Sequence, residues 1–113
     1  MAYVPVTITD DRLAEFDAEH DGILIMRGSE RAPFLYVLRR PTEREARAYQ
    51  GMLRGKDPDV MKANRLFLTS MCVHPTGAEL EGQIARWPAS PGAVLASEAF
   101  TEFSGAAATD LRK

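Results

Sequence analysis

Cys72-Val73-His74 is the one place in this 113-residue chain where a thiol and an imidazole stand two positions apart. A zinc centre needs about four ligands. The chain has a single cysteine, and its other histidine, His20, lies far away in sequence. A cysteine nucleophile activated by His74 fails for a different reason: an apolar helix would aim Cys72 into the core while His74 sits beyond the helix end. A buried thiol and a helix-end imidazole are therefore the expectation. The acidic cluster Asp10, Asp11, Glu15, Asp17, Glu19 and Asp21 supplies paired carboxylates, but a solvated helix face accounts for it more simply. No calcium loop, phosphate-cradling glycine loop or nucleophile elbow occurs. The expectation is no catalytic residue, no metal site and no cofactor.

Arginines offer a second chemistry. Arg39 and Arg40 precede a stripe in which Arg40, Arg44, Arg47 and Arg54 share a side at helical spacing, and guanidinium groups so placed bind phosphates or a partner's carboxylates. The competing reading pairs them with Glu43 and neighbouring acids on a wet surface at little net energy. Residues 39–65 carry eight basic and four acidic side chains, whereas residues 1–38 carry three and seven, and residues 66–113 three and five. A basic middle can meet an acidic flank in the same chain or a neighbour. With a net charge of −2 and a pI near 5.7, non-specific nucleic-acid binding is not expected. A third group is apolar: Trp87, Phe100 and Phe103, with Leu66 and Met71. Most should be core, and an exposed remainder would form a partner-binding groove.

These residues must be carried by recognisable elements. Val4, Val6 and Ile8 alternate, yet Pro5 cannot donate to a ladder, so residues 3–8 support an extra edge strand or an extended lead-in at most. Thr9 or Asp10 caps a surface helix over 11–19, closed by Gly22. The apolar runs 23–26 and 34–38, separated by turn formers, predict a β-hairpin. Its near-continuous apolarity predicts cover on both faces, by helices on one and by another subunit on the other. Helices are expected at 43–54, 58–73, 77–87 and 91–104. Thr42-x-x-Glu45 and Thr76-x-x-Glu79 both spell a capping box, while Asp57-Pro58 and Ser90-Pro91 place a capping side chain before a helix-starting proline. Gly55, Pro75, Pro88 and Gly105 mark the ends. The second helix is apolar around most of its circumference and should be central. The two capping-box spellings stand 34 residues apart, but nothing else recurs, so a helical repeat is rejected.

The fold class is thus α+β: a hairpin followed by a bundle of about four short helices, plus an N-terminal surface helix. Residues 1–105 form one domain and 106–113 a frayed tail. Apolar residues at 45% and charged residues at 27% are an ordinary globular balance. No apolar run approaches the roughly 20 residues of a membrane helix, and the start lacks a secretory pattern. Cytoplasm is the expected compartment.

Three motifs stand out along the chain: Arg40-Pro41-Thr42-Glu43-Arg44-Glu45, Met71-Cys72-Val73-His74-Pro75 and Ala85-Arg86-Trp87-Pro88. With the order of elements over 22–105, they resemble the small tail assembly chaperones of long-tailed bacteriophages and prophages. Ala89-Ser90-Pro91-Gly92 departs from the more direct Pro-Gly step of that pattern. The resemblance implies a short sheet portion, a helical bundle, self-association, and a task of coating a long hydrophobic tape-measure protein until tail tube subunits replace the chaperone. The partner surface expected from these residues is Arg39, Arg40, Arg44, Arg47, Arg54, Trp87, Phe100 and Phe103. A small adaptor or regulatory domain, binding protein or nucleic acid through the arginine face, is the alternative.

Overall fold

The computed structural model describes residues 3–105. The first helix, α1, spans Asp10–His20, where the Thr9 hydroxyl accepts from Arg12 N at 3.2 Å and two aspartates fill the first turn. Both features neutralise the free N–H groups and partial positive charge of a helix start. The chain leaves it through Asp21 in the left-handed region, and α1 packs on the following strand through buried Phe16.

Two strands, β1 (Ile23–Arg27) and β2 (Leu35–Arg39), pair antiparallel with Leu24 opposite Leu38 and Met26 opposite Tyr36. The connecting loop depends on Gly28. Its N–H bonds the Phe34 carbonyl at 2.8 Å, and a Cβ there would lie 1.9 Å from the Ala32 carbonyl oxygen. Only glycine allows that approach.

Residues 3–8 enter no ladder. The third strand is instead β3, Cys72–His74, which lies on the other side of β2 in the order β1-β2-β3. The helix expected over 58–73 accordingly stops at Met71. The physical reason lies in β2, whose Leu35 to Leu38 are all buried. A strand covered on both faces sits at the centre of a sheet and needs a ladder partner on each side. The cover comes from this one chain, not from another subunit, while β1 remains a half-exposed edge.

After β2 come α2 (Glu43–Leu53), α3 (Val60–Met71), α4 (Gly77–Arg86), α5 (Ser90–Leu95) and α6 (Glu98–Ser104). The expected helix over 91–104 is two helices. Ser97 interrupts it and caps α6 by accepting from Phe100 N at 3.0 Å. Thr42 and Glu45 form the reciprocal capping box, but Thr76 makes no side-chain cap. Asp59, not Asp57, caps α3. Arg54 rather than Gly55 caps the end of α2, and Gly105 closes α6 with φ 70°. The frayed tail expected over 106–113 lies outside the described residues.

The core joins Tyr36 and Leu38 of β2 to Phe67, Leu68 and Met71 of α3, Leu80 and Ile84 of α4, Val94 of α5, and Phe100 and Phe103 of α6. Two buried polar groups stitch it. Gln83 donates from Nε2 to the Leu35 carbonyl at 2.8 Å and accepts from Leu35 N at 3.0 Å, so a side-chain amide takes the place of a strand partner. Ser90 donates to the Trp87 carbonyl at 2.6 Å. Having one proton, it accepts from the Tyr36 hydroxyl, also at 2.6 Å. Ser90 is therefore a core hydroxyl and not the helix cap its sequence position suggests.

Candidate functional site

The junction of β2 and α2 uses its arginines internally. Arg39 forms a two-pronged ion pair with Glu45, at 2.8 and 2.6 Å, and also donates to the Ser70 carbonyl of α3 at 2.7 Å. Glu45 in turn accepts from Thr42 N. The Arg39 guanidinium holds the Glu45 carboxyl down at about 2, and Glu45 raises Arg39. Arg40 donates to the Phe103 carbonyl and lies over the Phe103 ring, 4.8 Å from its centre. These two arginines tie the sheet to α2, α3 and α6.

Further along α2 the arginines face outward. Arg47 pairs with Glu43 one turn earlier at 2.7 Å, both side chains being largely exposed. The side chains of Arg44 and Arg54 make no hydrogen bond or ion pair among the described residues. The sequence-derived basic face is therefore divided between fastening and display.

The apolar candidates are also redistributed. Phe100 and Phe103 are core residues, 6% and 9% exposed, and cannot form an open groove. Trp87 is partly buried: Tyr3 meets its ring edge-on at 6.0 Å, and Arg86 lies over it at 5.3 Å. Its Nε1 is buried without a partner among the described residues.

An open groove occurs elsewhere, between α2 and α3. Tyr49, Met52, Leu66 and Phe67 form its apolar lining, with Arg44 and Ser70 on the rim, around a volume of about 220 Å³. Its floor is rigid. Tyr49 stacks on Phe67 at 4.4 Å, Phe67 meets Phe100 edge-on at 6.1 Å, and the Tyr49 hydroxyl donates to Asn64 Oδ1 at 2.6 Å. Leu66 stands at the lip, 45% exposed. A wider cleft of about 880 Å³ separates α3 from α4 and contains Met61, 64% exposed. The Arg65–Glu81 ion pair spans that cleft, whose lining mixes charged Asp59 and Lys62 with apolar Met61, Ile84 and Pro88.

The apolar circumference of α3 predicts a central position, with Leu66 in a mostly core group. Alpha-3 is central, but Ala63, Phe67, Leu68 and Met71 suffice to fill its inner side. The surplus apolar residues of α3, beyond what one buried stripe needs, were the available signal for a groove.

Cys72 behaves as a core thiol. Burial pushes it up to about 11, and it lies 3.3 Å from both the His74 and Pro75 carbonyls. The protonated form prevails near neutrality. The His74 ring bonds the Thr7 carbonyl at 2.8 Å and so holds the N-terminal segment. Among the described residues no three His, Cys, Asp or Glu side chains come together as a metal site, and no helix is long and apolar enough to cross a membrane.

No family model, curated protein or solved structure matches the chain.

Proposed function

We propose that this chain is a non-catalytic assembly chaperone of the phage-tail type, acting in the cytoplasm, self-associating, and covering a hydrophobic helix of a tape-measure-like partner. The observation that carries this reading is the α2–α3 groove, with Leu66 and Met52 beside a stacked Tyr49–Phe67 floor and Arg44 at its rim. An amphipathic or apolar helix docks in such a groove through side chains one turn apart. Its exposed apolar surface is removed from water, which opposes aggregation of the partner. The motif resemblance points the same way.

The direct trial is co-expression with the tape-measure protein of the chain's own genomic cluster, reading the partner's soluble fraction. The expected result is a clear gain with the native chain and loss of that gain with Leu66→Glu, which places a charge on the groove lip. No gain with the native chain sinks the reading.

The arginine-face alternative has less to stand on. Of five candidate arginines, Arg39 and Arg40 are engaged with the fold and Arg47 with Glu43. A filter-binding titration across salt separates the readings, since phosphate contacts predict a steep loss of affinity as salt rises.

A further inference from the structure

Two helix faces lack partners among the described residues and carry opposite charge. On α1, Phe16 is buried, and Leu13 and His20 are partly covered. The opposite side exposes Ala14 and Ala18, with Asp11 and Glu15 along one flank and Asp10 and Asp17 along the other. Residues 10–21 hold six acidic side chains and one arginine. On α2, Gly51 is exposed, and Arg44, Arg47 and Arg54, also exposed, share its side at helical spacing, with Arg44 at the edge nearest the α2–α3 groove. A Cβ on Gly51 would meet nothing within 4 Å. The α1 face therefore has a low lane at Ala14 and Ala18 bordered by acids, and the α2 face a single low point at Gly51 bordered by arginines.

The two faces stand on separate parts of the fold, α1 packing on β1 and α2 on α3. Local pairing leaves most of the charge available. Arg12 holds Glu15 at 3.3 Å and Glu43 holds Arg47 at 2.7 Å, both exposed pairs that exchange readily with solvent or another partner. The Arg44 and Arg54 side chains have no hydrogen bond or ion pair among the described residues.

We infer that the acidic face of α1 docks on the arginine face of α2 in a second copy of this chain. The small residues let the two helices approach closely, and the flanking carboxylates and guanidinium groups then meet across the contact. The arrangement uses different surfaces on the two copies. It is heterologous, so in a pair one copy retains an unused α2 face and the other an unused α1 face, and association continues into a ring or an open chain. Each helix of 11 residues is about 16 Å long. One such contact falls below the roughly 1,200 Å² of a standard interface. Association is accordingly weak and salt-sensitive.

This inference rests on the self-association part of the proposed function, and it leaves the α2–α3 groove open apart from the shared rim at Arg44. The test is sedimentation velocity of the full chain over a range of concentrations and salt. The native protein is expected to form species larger than a monomer at low salt, with affinity falling on the order of tenfold or more as ionic strength rises from about 0.05 M to about 0.5 M. Asp11→Lys with Glu15→Lys should give a monomer, as should Arg47→Glu with Arg54→Glu. All four positions are exposed, and circular dichroism checks that each variant is folded. Mixing the two variants should restore assembly, because the reversed α1 then meets a reversed α2 and the two native faces still match. A native chain that stays monomeric at low salt overturns the inference. So does assembly that survives either reversal, or variants that fail to assemble when mixed. Leu66→Glu distinguishes the two readings: it should abolish partner capture and leave sedimentation unchanged.

Discussion

Arg39 and Arg44 stand five residues apart on the two sides of one helix start, yet they belong to different regions of the molecule. Arg39 is anchored to Glu45 and to the α3 backbone. The Arg44 side chain sits at the rim of an open groove with no hydrogen bond or ion pair among the described residues. In the first region the side chains satisfy one another and the backbone around them, so their chemistry is spent on folding. In the second, an apolar floor is left facing solvent with the Arg44 guanidinium at its edge. The difference teaches that a basic stripe in sequence is divided by tertiary structure into fasteners and displayed groups.

The largest expected break in the closed region is Gln83→Ala, which removes both hydrogen bonds to Leu35 and leaves a buried N–H and carbonyl unpaired. Loss of about 2–4 kcal/mol in urea unfolding is expected. The Arg39–Glu45 pair comes next: Arg39→Ala should cost about 1–3 kcal/mol. Its pH dependence has a definite sign. Glu45 is depressed to about 2 in the folded chain, so its contribution is present above the ordinary carboxylate range and is lost as pH falls toward that value. Native stability should decline over that window, and the Arg39→Ala variant should show a visibly shallower decline when unfolding is followed by fluorescence.

A finer comparison uses the two identical helix-start spellings. Thr42→Ala removes a working capping box and should cost about 1 kcal/mol, whereas Thr76→Ala removes a side chain that caps nothing and should stay within about 0.5 kcal/mol of native. Thermal melts of the pair measure this directly; equal losses would overturn the distinction. The smallest effect belongs to the open region. Arg44→Ala and Arg54→Ala should each change stability by less than about 0.5 kcal/mol, read by the same melts.

The amino-acid sequence by itself determined the α+β class, the hairpin, the surface helix, the box at Thr42 and Glu45, and the glycine stop at Gly105. All are decided by groups within a few residues of each other, so local order suffices to encode them. Tertiary structure alone decided that Cys72–His74 leaves α3 to become a strand, because a β2 buried on both faces needs a second ladder partner. It also decided that Ser90 serves Tyr36 and that Phe100 and Phe103 lie in the core. Each of these depends on groups brought together from distant parts of the chain. The groove followed in the same way: whether Leu66 is core or surface depends on how much of α3 its neighbours can cover, and four inward side chains were enough.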